Sequence, residues 1–562
     1  MTTYDPPRPW ISSYAPGVPA DLAPVEGSLS DIVETSTRTH PDAPALEFFG
    51  RVTTYRQLAE AIDRAAEGLR ALGVNAGDPV AIVLPNCPQH IVAFYAILRL
   101  GAVVVEHNPL YTERELQVQF SDHRARTVIA WSKTVHTLQQ FPDEVRPARI
   151  IAVDLIEAMP FVTRMALRLP LKKAREARTA LHEPVTGAIG WSELVAHPPL
   201  AASHPRPTTD DLAIIQYTSG TTGTPKGAAL THRNLLANAA QSRSWVPTIT
   251  PGEGCVVYAV LPMFHAYGLT LCLTFAMSMS ARLVLFPRFD PDMVLAVTKK
   301  RPATFLPLVP PIADRLLKRA QETGISLRGT EIAISGAMAL PHELVVPFEK
   351  ASGGYLVEGY GLSECSPVLM ANPVAANRVP GTVGLPLPAT ECRVVDPDEP
   401  TRDVAPGEPG ELLVRGPQVF SGYHGKPEET AAVFVGDWFR TGDIVTIDEA
   451  GFVRIVDRIK ELIITGGFNV SPTEVEAVLT QHPDIAEAAV VGLPNPHSGE
   501  DVVAAVVLTD GVTEFDPEAV RAFARDILTP YKVPRRIVVV DELPKSLIGK
   551  VQRRLVRDAL KP

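Results

Sequence analysis

Apolar residues recur at helical spacing through residues 55–73, at Leu58, Ile62, Ala65, Leu69 and Leu72, and Gly73 offers a stop. The run Pro79-Val-Ala-Ile-Val-Leu84 then shows no polar alternation, as expected of a strand covered on both faces. A second helix is predicted from about Gln89 to Leu100, ending at Gly101, and Val103-Val-Val105 supplies the next strand. Further inner strands are predicted at Leu212-Ala-Ile-Ile215, Glu331-Ile-Ala-Ile-Ser335 and Gly354-Tyr-Leu-Val-Glu358. A short strand at Ala228-Ala-Leu230 leads to Thr231-His-Arg-Asn234, where a helix can start. Strand and helix alternate throughout, which predicts an α/β fold of layered sheets and helices.

The last hundred residues read as a separate, small α+β unit. Ser471-Pro-Thr-Glu474 has the form of a capping box with proline at the first helical position, opening a helix to about Gln481. Residues 486–491, 502–508 and 537–540 read as strands, Asp516-Pro-Glu518 starts another helix, and a terminal helix covers 551–560. The charged stretch Asp457-Arg-Ile-Lys460 interrupts apolar segments, so the expected division is a large domain over 1–456, a link at 457–460 and a small domain over 461–562.

Composition narrows the function classes. A chain of 562 residues exceeds one core. Its net charge of −10 argues against general nucleic-acid binding. The five cysteines are scattered without metal spacing, which suggests reduced thiols in or near the core and a reducing compartment. The first thirty residues hold no basic start followed by an apolar run, so a cytoplasmic location is expected. The apolar stretch 269–286 is broken by Thr270, Thr274, Ser278, Ser280 and Arg282, and reads as a buried helix leading into a strand.

Residues 160–178 stand apart. Arg164, Arg168, Lys172, Lys173, Arg175 and Arg178 are opposed only by Glu176, with Phe161, Val162, Met165, Leu167, Leu169 and Leu171 interleaved. Pro170 argues against one continuous helix. Such a segment either packs as a solvated surface hairpin or makes peripheral contact with an anionic membrane.

The chemistry concentrates in Tyr217-Thr-Ser-Gly-Thr-Thr-Gly-Thr-Pro-Lys-Gly227. Glycines, hydroxyls and one lysine gathered after a buried strand suit a polyphosphate. The loop departs from the usual P-loop, because Pro225 precedes Lys226 and Gly227 replaces the Ser/Thr that would start a helix. Four further segments are candidates: Leu261-Pro-Met-Phe-His-Ala-Tyr-Gly268, Glu358-Gly-Tyr-Gly-Leu-Ser-Glu364, Thr441-Gly-Asp443, and Leu543-Pro-Lys-Ser-Leu-Ile-Gly-Lys-Val-Gln-Arg-Arg554. Alone, each is weak.

In their order these segments resemble the adenylate-forming superfamily, in its acyl-CoA synthetase branch, from about Thr54 to Arg554. The resemblance implies a large adenylation domain and a small mobile C-terminal domain that turns about a hinge at Asp457 and Lys460. It implies that Thr218, Ser219, Gly220, Thr221, Thr222, Gly223 and Lys226 position the phosphates of ATP. Gly336 and Ala337 would line the adenine and acyl channel. Glu358, Gly359, Tyr360, Gly361 and Ser363 would form the nucleotide turn, with Tyr360 stacked on adenine. Glu364, with Thr222, would hold Mg²⁺, and Asp443 and Arg458 the ribose. Lys550 would bridge the attacking carboxylate and the α-phosphate, and Lys550, Glu364, His265 and Lys226 are the catalytic candidates. Gly466, Gly467 and Phe468 would border the channel for coenzyme A.

Phe264, His265, Leu269, Met338 and Leu362 suggest an apolar acid pocket, since no aspartate stands where amino-acid-activating relatives carry one. The implied activity is ligation of a medium- or long-chain fatty acid to coenzyme A. An aryl or short-chain acid–CoA ligase, an acyl-AMP ligase that loads a carrier protein, and a lipid-binding scaffold remain open at this stage. So does the oligomeric state.

Overall fold

A computed structural model describes residues 8–218, 225–465, 468–495, 499–546 and 549–561, with backbone alone at Lys460, Phe468, Asn469 and Gly499. Ser219, Gly220, Thr221, Thr222, Gly223, Gly466 and Gly467 lie outside the described residues, as do the side chains of Lys460 and Phe468.

The predicted helix forms at Tyr55–Ala71. Its start is fixed by a reciprocal box in which the Thr54 hydroxyl accepts from Gln57 N–H and the Gln57 side chain accepts from Thr54 N–H. Its apolar stripe of Leu58, Ile62, Ala65 and Leu69 is buried. The same device opens the helix His232–Trp245, between Thr231 and Asn234. A box of this kind contributes about 1 kcal/mol, so it sets helix registers that the burial of the apolar faces then stabilises.

Two compact units divide the chain. The larger, over Ser13–Thr390 and Arg415–Ala432, carries two mixed sheets. In the nine-stranded sheet, Val256–Ala259 lies between Arg282–Leu285 and Phe305–Leu308, all parallel. The connection to Arg282–Leu285 goes to one side and the next strand returns to the other, so strand order reverses at Val256–Ala259, where α/β sheets commonly bind ligands in the crevice at their carboxyl ends. In the eight-stranded sheet the order runs from Gly422–Tyr423 through Lys226–Thr231, Leu212–Thr218 and Val103–Glu106 to Pro79–Val83 and onward. Leu212–Thr218 and Lys226–Thr231 pair antiparallel as the two arms of a hairpin.

The apolar stretch from Leu269 is a buried helix, wound as a π-helix at Leu269–Thr274, followed by the strand Arg282–Leu285, as expected. The hydroxyls that broke its apolar pattern are satisfied internally: Thr270 donates to the Ser366 carbonyl at 2.5 Å and Thr274 to the Thr270 carbonyl at 3.2 Å. Among the described residues no helix is long and apolar enough to cross a membrane.

The smaller unit holds Glu391–Val414 and Val433–Pro562 with the described residues up to Ser12. One five-stranded sheet contains Trp438–Ile447 and Val453–Arg458. The other contains the long hairpin Ile485–Asn495 and Gly499–Leu508 with Arg536–Val539. Its helices at Pro472–Leu479, Pro517–Arg525 and Arg553–Leu560 match the predicted α+β order. One detail differs. Ser471 caps its helix by accepting from Glu474 N–H, but the Glu474 carboxylate turns to Lys532 Nζ at 2.7 Å and does not complete the box. An ammonium offers a charged partner where the box offers one neutral N–H.

Candidate active site

In the larger unit the phosphate hairpin ends in a defined frame. Thr218 closes one strand and Lys226 opens the next, with the Thr218 hydroxyl 3.4 Å from the Lys226 carbonyl. Gly227 pairs with Tyr217, and a β-carbon there would stand 2.5 Å from Ile215 Cγ2, so this glycine is demanded by packing. The strand Gly422–Tyr423 pairs with the other side of Lys226–Thr231. That register sets Lys226 Nζ over the Tyr423 ring, 5.1 Å from its centroid. The Tyr423 hydroxyl in turn donates to Glu364 Oε1 at 2.8 Å. Burial, and then the Glu364 charge, push the Tyr423 hydroxyl far above its ordinary pKa, so it stays a donor. Tyr423 thus links the phosphate lysine to the candidate metal carboxylate.

Glu364 stands in the short turn Ser363–Cys365 that follows the strand Tyr355–Gly361. Glu358 is buried within that strand, opposite Ser335. Tyr360 is also largely buried, Gly359 packs close to Ile334, and Leu362 and Ser363 are partly exposed. A β-carbon on Gly361 would lie 2.0 Å from the Pro367 carbonyl oxygen, where the chain doubles back on itself.

The crevice of the nine-stranded sheet holds the candidate acid site. The segment after Val256–Ala259 brings Phe264, His265 and Tyr267 to the strand ends. Tyr267 Oη lies 2.8 Å from the Ile334 carbonyl and 3.1 Å from that of Leu308, within reach of two neighbouring strands. Its ring sits 3.1 Å from where a β-carbon on Gly336 would be, so glycine is needed there to admit the tyrosine. Next to it Ala337 adopts φ +67°, uncommon for a residue with a side chain. Met338 is partly buried. Leu269 is 1% exposed inside the buried helix. Gln216 Nε2 donates to the Phe264 carbonyl at 3.0 Å and so ties the phosphate strand to the acid segment.

His265 is neutral near pH 7. Burial alone pushes its pKa down to about 4. Its Nδ1 accepts from Tyr267 N–H at 3.3 Å, which leaves the ring proton on Nε2. An uncharged imidazole beside Phe264 suits an apolar acid.

The smaller unit assembles a second set. Asp443 and Arg458 face each other across paired strands, with Arg458 Nε donating to Asp443 Oδ1 at 2.8 Å. Asp443 is 1% exposed. Asp457 accepts from Arg458 N–H at 2.7 Å, from Thr473 N–H at 3.2 Å and from the Ser471 hydroxyl. This candidate hinge residue therefore also caps the helix Pro472–Leu479. Lys550 is pushed down to about 8, by burial first and by Arg458 next, with Glu461 and Asp443 acting in the opposite sense. The structure therefore brings Lys550, Asp443 and Arg458 into one electrostatic neighbourhood. Arg553, three residues on, donates to Glu476 Oε2 at 2.6 Å, to Thr473 Oγ1 at 3.1 Å and to Glu461, and so fixes the segment that carries Lys550.

Tyr423, Tyr267, Gln216 and Arg553 were not among the sequence candidates. Arg553 and Tyr267 lay inside motifs already marked. The others act through strand pairing or backbone carbonyls that leave no local pattern.

Residues 33–424 match the family model described as AMP-binding enzyme, and residues 474–550 match the AMP-binding enzyme C-terminal domain. The chain is 38% identical over 558 residues to a long-chain-fatty-acid–CoA ligase of Bacillus subtilis, covering 97% of each. It is 38% identical over 567 residues to one of Escherichia coli O157:H7, covering 98% of each. The ATP-bound structure of MatB from Rhodopseudomonas palustris superimposes with a TM-score of 0.78 at 29% identity, covering 94% of this chain and 98% of that one. With matching models over both parts of the chain, this protein belongs to the AMP-binding, adenylate-forming enzyme family.

Proposed function

We propose that this chain is an ATP-dependent fatty acid–CoA ligase, an acid–thiol ligase that works through acyl-AMP. The observation that carries the reading is the grouping of Lys550 with Asp443 and Arg458. A buried carboxylate suited to ribose hydroxyls stands near a lysine suited to the α-phosphate. Near-full-length similarity to relatives named for long-chain fatty acids supports the acid class, as does neutral His265 beside Phe264.

A carboxylate is a poor electrophile, and both it and the triphosphate are anions. In the first half-reaction the fatty carboxylate attacks the α-phosphorus of ATP, and pyrophosphate leaves. The Lys550 ammonium offsets their repulsion and the charge that develops in the transition state. Lys226 and Thr218, with Ser219, Thr221 and Thr222, hold the departing phosphates, and Tyr360 stacks on adenine. In the second half-reaction the thiol of coenzyme A attacks the acyl carbon, and AMP leaves. Asp457 and Lys460 are assigned as the hinge between domains at 1–456 and 461–562, and Gly466, Gly467 and Phe468 as the border of the thiol channel.

The carboxylate of Glu364, held by Tyr423 next to Lys226, is the donor chemistry that a hard cation bound to phosphate requires. Glu364 and Thr222 would hold Mg²⁺, which supplies charge neutralisation of the phosphates. Peripheral lipid contact is assigned to residues 160–178 on their own basic and apolar composition, and it agrees with a lipid substrate.

Tyr423→Phe is expected to raise the Mg²⁺ concentration needed for half-maximal pyrophosphate exchange about fivefold or more, by releasing the Glu364 carboxylate from one neutral hydrogen bond. A change in maximal rate with an unchanged Mg²⁺ dependence would assign Tyr423 a packing role only.

The activity is tested by pyrophosphate release across a panel of acids, with and without coenzyme A. Medium- and long-chain acids should exceed benzoates and coumarates by at least about tenfold, the discrimination an apolar pocket provides. Thioester should form only when coenzyme A is present. Preference for aromatic acids would displace the fatty assignment, and turnover with a carrier protein alone would displace coenzyme A.

A further inference from the structure

The segment at 160–181 forms two short helices, Phe161–Ala166 and Lys172–Leu181, and neither has a buried residue. Phe161 is 68% and Val162 77% exposed, and Met165, Leu169 and Leu171 are exposed as well. Single exposed apolar residues are ordinary, but five within eleven positions form a patch. Six arginines and lysines share the segment with one acid, Glu176, which Lys172 approaches at 3.9 Å. In a chain of net charge −10 this is a local reversal of sign.

The hairpin is rooted firmly. Trp131 Nε1 donates to the Leu181 carbonyl at 2.8 Å, and His182 Nδ1 lies 3.1 Å from Asp154 Oδ2. At its other end Arg51 Nη1 donates to the Glu157 carbonyl at 3.1 Å. That bond brings the hairpin of Pro44–Phe48 and Arg51–Thr54 to the base of the segment, and Phe49 in its turn and Val52 in its second strand are exposed too. Beside the second helix, Lys133, Lys172, Arg175, Glu176, Thr179 and Ala180 line an open recess of about 520 Å³. Apolar side chains, a cationic surround and a recess with three cations, one carboxylate and a hydroxyl thus occur together.

The geometry points to a docking surface for an anionic lipid bilayer. Phe161, Val162, Leu169 and Leu171 enter the acyl boundary, with Phe49 and Val52 at the margin. Arg164, Arg168 and Lys173 meet the surface charge, and Lys133, Lys172 and Arg175 receive a phosphodiester headgroup. The occupant is a membrane rather than a protein because the apolar and cationic groups alternate along one exposed hairpin, the pattern of an interfacial helix. The inference deepens the proposed lipid contact but does not depend on the ligase reading.

Flotation of the full-length protein with phosphatidylcholine vesicles, with and without phosphatidylglycerol, tests it. The protein should float with the phosphatidylglycerol vesicles at low salt, much less with phosphatidylcholine alone, and should be released by added salt. The triple variant Arg164→Glu/Arg168→Glu/Lys173→Glu and the pair Phe161→Ser/Val162→Ser should each lower the bound fraction about tenfold. Both should retain pyrophosphate exchange with octanoate, a water-soluble acid, which reports that fold and nucleotide site are intact. No flotation of the wild type, variants that float equally well, or self-association through this face without vesicle binding would each overturn the surface. Loss of octanoate exchange in the wild type, with flotation preserved, would overturn the ligase reading and leave the surface standing.

Discussion

Lys550→Ala is expected to lower acyl-AMP formation by about three orders of magnitude, the scale of removing one preorganised group from a developing charge. Thioester formation from supplied acyl-AMP should stay within about threefold, because the second half-reaction has no carboxylate attacking the α-phosphorus. Measuring the half-reactions separately distinguishes the two effects, and equal loss in both would contradict the assignment of Lys550 to the first. The lysine also predicts a pH dependence. Its cationic form is the active one, and burial pushes it down to about 8 in the free enzyme. The cation is therefore present below that pH and is lost as pH rises through it. kcat/KM for the first half-reaction, which reports the free enzyme, should fall above about pH 8. In Lys550→Arg the residual activity should show no such fall, since guanidinium does not titrate there.

Gly361→Ala should be the most damaging of the conservative changes. The added carbon would stand 2.0 Å from the Pro367 carbonyl oxygen and 3.0 Å from Val368 Cα. Both are backbone atoms, so no side chain can swing aside. The expected cost is about 3 kcal/mol, at the upper end for overpacking. The strain falls on the turn that carries Ser363 and Glu364, so pyrophosphate exchange should drop even where the protein still folds. Gly254→Ala serves as the control, since it has open space and an ordinary backbone conformation. It should leave both the denaturation midpoint and the exchange rate unchanged. If Gly361→Ala behaves like the control, the close approach of the two strands is not a constraint on the nucleotide turn.

The pattern of apolar positions made most elements legible, because helices such as Tyr55–Ala71 and strands such as Val103–Glu106 declare their burial in their own sequence. Motif order, rather than any one motif, singled out Lys550 and Asp443 as candidates. What stayed hidden was long-range pairing. Tyr423 bonds Glu364 from 59 positions away, through an edge strand of two residues that no periodicity can announce. Gln216 reaches the Phe264 carbonyl, and a backbone acceptor leaves no trace in the sequence. The glycines carry packing roles that no local pattern announces. Gly336, expected to line the adenine and acyl channel, also admits the Tyr267 ring where a side chain would stand. The capping box at Ser471 was half formed because Lys532 offered Glu474 a charged partner 58 positions away. Local signals choose an element, and tertiary neighbours choose among the bonds open to its side chains.

All five cysteines are buried, and none forms a disulfide. Burial pushes Cys87 and Cys272 up to about 12 and Cys255 up to about 11, and Cys392 higher still. Thiolate is the reactive form, so at neutral pH the native thiols are poor targets for maleimides. One cysteine placed on the surface of each domain would therefore take a fluorophore without removal of any natural residue. A donor–acceptor pair attached in this way would give a direct optical record of whether the small domain turns when coenzyme A arrives.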